Sequence, residues 1–126
     1  MEEAIAKALE DGKLPCEAAF AIARGLGVKP LEVKRKADEM GIKISRCQLG
    51  LFGYGSKRGG KHRIVNPPEA ISAELETELR HMAPEGLLPC AKAWAVARRL
   101  GISKLEVSGA AEALGIRIVQ CQLGCF

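Results

Sequence analysis

Two sets of side chains have chemistry that can act on something outside the chain. The first is basic: Lys29, Lys34, Arg35 and Lys36 fall within eight residues, and Lys57, Arg58, Lys61, His62 and Arg63 fall within seven residues of a glycine-rich stretch. Lysine and arginine donate to phosphate oxygens, and each such contact releases condensed counterions, so cations clustered in this way suit a polyanion. The second set is the five cysteines, Cys16, Cys47, Cys90, Cys121 and Cys125. Thiols serve as nucleophiles, redox pairs or metal ligands, and Cys16 and Cys90 stand in the first turn of an expected helix, where the dipole favours the thiolate.

The net charge of +4 is unevenly placed. Residues 1–50 carry nine Lys/Arg and eight Asp/Glu, residues 51–67 carry four and none, and residues 68–126 carry six and seven. The whole excess sits in the connector, where an anionic partner would feel it most.

These groups ride on a unit that is written twice. Residues 14–50 and 88–124 align at an offset of 74 without a gap and are identical at 20 of 37 positions. What the copies share reports the fold, and what they do not share reports specialisation. Hydrophobic residues make up 48% of the chain but aromatics only 4%, so small aliphatic side chains must supply the core. A mainly α fold of close-packed helices follows.

A leading helix is expected over residues 2–9, where Ala4, Ile5, Ala8 and Leu9 share a face. Its counterpart is expected over 68–82, where Ile71, Leu75 and Leu79 recur every four residues and Pro67-Pro68 supplies the start. Pro15 and Pro89 open the second helix, whose apolar stripe includes Phe20/Trp94 and Ala23/Ala97 and which stops at Gly27/Gly101. The third helix opens through Pro30 in one copy and through a Ser103-x-x-Glu106 capping box in the other. Val33, Ala37 and Met40, matched by Val107, Ala111 and Leu114, form its inward face, and Gly41/Gly115 closes it. Residues 42–44 and 116–118 then alternate apolar and charged, the period of one short trailing strand per copy. Such a strand needs a partner, either a wing hairpin or the equivalent strand of the other copy. Residues 62–66 are the candidate returning strand.

Ala23, Gly27 and Val33 are separated by four and six residues, as are Ala97, Gly101 and Val107. The alanine lets two helices cross closely, the glycine makes the turn, and the valine locks the third helix against the second. This spacing resembles the helix-turn-helix signature of DNA-binding proteins, and with a trailing strand it is similar to the winged-helix members. The resemblance covers the second and third helices of each copy and implies DNA contact through the third helix. Two positions depart from the family's pattern. Lys36 and Ala110 stand where an apolar residue is usual, and Leu31/Leu105 stand where a DNA-facing side chain is usual. A leucine kept in both copies points to packing, with the helix rotated or its outer face meeting something apolar.

Repeat one presents Lys29, Lys34, Arg35 and Lys36 where repeat two has Ser103, Ser108, Gly109 and Ala110. Repeat one and the connector are therefore the expected nucleic-acid face, weighed against the plainer reading of a solvated helix and a basic linker. The expected architecture is mainly α, with tandem duplicated three-helix units at 1–50 and 68–126 in pseudo-twofold symmetry and a basic loop or wing at 51–67. The expected function is double-stranded DNA binding by a small transcriptional regulator. A protein-interaction module and a cysteine-based redox or metal sensor are the alternatives on the same scaffold.

Cys47 stands 31 positions after Cys16 and Cys121 stands 31 after Cys90, which is not zinc-ribbon spacing, so buried small hydrophobes are the first reading of these thiols. A metal or iron–sulfur site would need Cys47, Cys121 and Cys125 to converge, with Cys16 and Cys90 as thiol candidates. No cofactor is expected, and no enzyme either, because no GxSxG, HExxH, phosphate-binding loop or convergent acid pair is present. The acidic amphipathic start and the lack of a long apolar run predict a cytoplasmic protein with no membrane partner. DNA is the expected partner, with another protein or a second copy of the chain beside it.

Overall fold

The structure, a computed structural model, describes residues 1–54 and 63–126. It is mainly helical. The elements run α1 (Glu2–Ala8), β1 (Leu14–Pro15), α2 (Cys16–Leu26), α3 (Pro30–Glu39), β2 (Ile44–Ser45), α4 (Ala73–Met82), β3 (Leu87–Pro89), α5 (Cys90–Leu100), α6 (Lys104–Ala113) and β4 (Arg117–Val119). The chain divides into two compact units, Met1–Ile64 with Gln122–Cys125, and Val65–Cys121 with Phe126.

In the first unit α3 packs on α2, and both meet α1. Ile5, Leu14, Ala19, Val33, Ala37 and Leu49 are fully shielded from solvent, and each of the larger aliphatic side chains contributes roughly 1.5–3 kcal/mol by leaving water. Alanine at 19, 23 and 37 keeps the helices close enough for Val33 to fill the space between them. The second unit repeats the logic with Leu79, Leu88, Ala93, Val96, Val107 and Ala111. Met40 and Leu114, expected on the inward face, are half-buried at the helix ends.

The strands find a partner that the sequence did not suggest. β2 pairs in parallel with β1, in the register Leu14↔Ile44 and Pro15↔Ser45. β4 pairs in parallel with β3, from Leu87↔Arg117 to Pro89↔Val119. Each copy therefore holds two short strands rather than one, and the partner is neither a wing hairpin nor the other copy's strand. The physical reason is the connection: two helices supply the long crossover that a parallel pair requires and return the chain beside its own start. Pro15 and Pro89 accordingly sit as extended N-caps (φ −61° and −60°) that close a strand and launch a helix at the next residue. No strand forms over residues 63–66, and His62 lies outside the described residues.

A second correction concerns α4. It starts at Ala73 rather than at Pro68, because Ser72 Oγ accepts a hydrogen bond from Leu75 N at 3.2 Å and so caps the helix five residues later than the proline pair. The other start signals act as expected: Pro30 is the first residue of α3, and Ser103 Oγ accepts from Glu106 N at 3.0 Å at the head of α6. After β2 and β4 the chain leaves the ladder through non-glycine residues in the left-handed region, Arg46 (φ 48°) and Gln120 (φ 52°). The loops that follow close alike, with Cys47 N donating to Phe52 O and Cys121 N to Phe126 O. Among the described residues no helix is long and apolar enough to cross a membrane.

Candidate nucleic-acid interface

The turn between α2 and α3 fixes the candidate helix. Gly27 takes φ 66°, and Val28 N reaches back 3.0 Å to Ala23 O, so the chain reverses within three residues and places exposed Lys29 at the N-cap of α3. Val33 and Ala37 turn inward, which directs Leu31 and Arg35, four residues apart, to the outer side. Leu31 is 43% exposed and Leu105 38%, so neither is packed away as its repetition suggested. Leu31 does meet one neighbour within its own unit: its Cδ1 stands 3.1 Å from where a Cβ on Gly124 would be.

The basic triplet is less open than its sequence implies. Lys34 Nζ lies 2.8 Å from Asp38, and Lys36 Nζ lies 2.7 Å from Glu2 and 3.2 Å from Glu39. The hydrogen bond and charge of Lys36 hold the Glu2 carboxyl below its usual range, while the bonds to Glu2 and Glu39 hold the Lys36 ammonium above its own. Such exposed pairs are weak and are screened by salt. Lys29 and Arg35 are exposed and form no ion pair among the described residues. On α3 and its N-cap they are the cations most directly presented.

The equivalent face of α6 is covered. Ser108, Gly109 and Ala110, which replace Lys34, Arg35 and Lys36, are all buried. A Cβ on Gly109 would stand 2.6 Å from Asn66 O and 3.5 Å from Pro68 Cδ, so segment 66–68 lies directly on this helix. Ser108 Oγ is enclosed without a hydrogen-bond partner among the described residues. Where the first copy has Lys-Arg-Lys, the small Ser-Gly-Ala leaves room for the chain that passes there. Gly109→Arg, which installs the residue of repeat one, is expected to destabilise the protein by about 2 kcal/mol, the range for forcing bulk into a packed site. Urea unfolding measures it, and an unchanged midpoint would show that segment 66–68 does not rest on α6.

Both flanks of the basic stretch are tied to the first unit. Arg46 N donates to Gly53 O at 3.2 Å, Tyr54 Oη donates to Cys47 O at 2.7 Å, and Ile64 N donates to Gly50 O at 2.9 Å. Burial, with a smaller effect of the neighbouring Cys47, raises the Tyr54 phenol above its usual range. Lys57, Arg58, Lys61 and His62 lie outside the described residues, and Arg63, at the returning flank, is exposed.

Cys16, Cys47 and Cys90 are buried, Cys121 and Cys125 are half-buried, and all five are thiols. Gln48 Nε2 approaches Cys16 Sγ at 3.5 Å. Among the described residues no three His, Cys, Asp or Glu side chains gather as a metal site would require. Two contacts escaped the sequence: Glu2 on α3, for which it held no signal, and Asn66 on α6, whose trace was the run of three small residues opposite it. Comparison with protein-family models, curated proteins and solved structures finds no match to this chain.

Proposed function

We propose that the protein binds double-stranded DNA, as a small transcriptional regulator built on tandem helix-turn-helix units, through α3 and the basic stretch 57–63. The observation that carries this reading is the contrast between equivalent helices: the outer side of α3 presents Arg35, with Lys29 at its head, whereas the same side of α6 is small, uncharged and covered by segment 66–68. Repeat two then serves as scaffold, and repeat one holds the contact. Lys34 and Lys36 join by exchanging carboxylate partners for phosphates. With about six phosphate contacts, the logarithm of affinity for a labelled random duplex should fall with the logarithm of salt at a slope near −5. Fluorescence anisotropy across a salt series measures the slope; no binding at low salt, or a flat dependence, contradicts the reading.

The exposure of Leu31 and Leu105 favours a second reading, a protein-interaction module on the same scaffold. Its signature is salt-insensitive association, lost on Leu31→Ser and untouched by reversal of Arg35.

A further inference from the structure

Four of the five cysteines occupy equivalent places in the two copies, at the same end of each strand pair. Cys16 follows Pro15, the last residue of β1, and opens α2; Cys90 follows Pro89, the last of β3, and opens α5. Cys47 stands two residues after Ser45, which pairs with Pro15, and Cys121 stands two residues after Val119, which pairs with Pro89. The residue between is left-handed in both copies, Arg46 (φ 48°) and Gln120 (φ 52°), so the chain turns out of the ladder just before the second cysteine. Neighbouring strands lie about 4.8 Å apart and a disulfide spans Cα atoms roughly 4.4–6.8 Å apart, so side-by-side strand ends present their next residues at the separation such a bond needs.

Side-chain contacts in repeat one support the juxtaposition. Gln48, the residue next to Cys47, donates from Nε2 to Cys16 Sγ at 3.5 Å. Burial first, and then the Cys47 and Cys16 thiols, hold the Tyr54 phenol above its usual range, so both sulfurs lie near one hydroxyl. Packing alone does not ask for sulfur at these places. The copies exchange Phe20 for Trp94 and Ile22 for Val96 in their second helices, yet keep cysteine at both positions.

We infer that Cys16 with Cys47, and Cys90 with Cys121, form two dithiol sites that close to disulfides by exchange with a small-molecule disulfide such as oxidised glutathione. One thiolate of the pair attacks a sulfur of the reagent, giving a mixed disulfide and releasing the first reagent thiol. The second cysteine then displaces the other: the reagent's S–S bond is broken, one within the chain is formed, and the two thiol protons end on the two released thiols. The dithiol loses two electrons and the reagent gains them. In repeat two the exchange enters at half-buried Cys121, whereas in repeat one both sulfurs are buried and closure follows local opening. Cys47 also anchors the mount of the basic stretch, its N donating to Phe52 O at 3.1 Å and its O accepting from Tyr54 Oη at 2.7 Å, so the bond in repeat one ties that mount to the head of α2. Closure is independent of any contact with DNA.

Full-length native protein is incubated with excess oxidised glutathione, alkylated with N-ethylmaleimide in denaturant and mapped by peptide mass spectrometry without reduction. The five thiols should fall to one, Cys125, which stands opposite Leu51 and has no counterpart in repeat one. The bonds found should be Cys16–Cys47 and Cys90–Cys121, and dithiothreitol should return all five thiols. Cys125→Ser should leave both bonds in place, and Cys47→Ser should abolish the first bond alone and leave Cys16 a thiol. Retention of more than one thiol by the parent protein, a glutathione adduct that persists, or bonds that join any other cysteines would overturn the inference.

Discussion

Gly53→Ala should destabilise the protein by about 3 kcal/mol, well beyond the cost of alanine at a turn glycine that touches nothing. Gly53 has φ 83°, and a Cβ there would press on Arg46 N and lie 2.7 Å from Ser45 Cα and 2.9 Å from Ser45 C. All three are backbone atoms, and Ser45 is held in register with Pro15, so none can yield as a side chain would. Gly27 is the control, with φ 66° and nothing within 4 Å of its added Cβ. Gly27→Ala meets only the left-handed strain of about 1 kcal/mol, and the remaining 2 kcal/mol or so at Gly53 measures the overlap. Urea unfolding of the two variants side by side gives the difference. Equal losses would mean that residues 52–53 do not run against 45–46, and the mounting of the basic stretch would have to be redrawn.

What the sequence made legible was local. The turn glycines, the prolines that launch α2, α3 and α5, the serine at the head of α6 and the inward positions Val33 and Val107 all follow from constraints acting within one turn of helix. The parallel pairing was not legible, because β1 is only Leu14–Pro15: two residues show no alternation, and the proline argued for a helix start alone. Ser72 was passed over for the louder Pro67-Pro68, although a side-chain cap starts a helix more firmly than a proline whose next residue is also proline. The candidate site was half legible. Lys29 and Arg35 stand exposed as their spacing implied, whereas the capture of Lys36 by Glu2 joins residues 34 positions apart and could not be read from either neighbourhood. The small residues at 108–110 were recognised as a loss of charge. That they also make room for Asn66 became visible only with the chain in place.

Lys29→Glu combined with Arg35→Glu should have the larger effect on binding. Each phosphate contact contributes roughly 0.9 decades of affinity per decade of salt below 1 M, so losing two at 0.1 M costs about fiftyfold, and reversed charge adds repulsion. Neither side chain is buried or ion-paired among the described residues, so the fold should tolerate the exchange with a change within about 0.5 kcal/mol. Overall charge must be held constant for the comparison to mean anything. Lys92→Glu with Arg117→Glu supplies that control, since both residues are exposed in the second unit and the change in net charge is the same.

The most direct measurement is therefore the affinity of three full-length proteins, the parent and these two double variants, for one labelled duplex at 0.1 M salt by fluorescence anisotropy. Loss of about fiftyfold or more in the Lys29/Arg35 variant, with the Lys92/Arg117 variant within about threefold of the parent, is the expected result for a contact seated on α3. Equal losses in the two variants would contradict it, since binding would then follow net charge and not this helix.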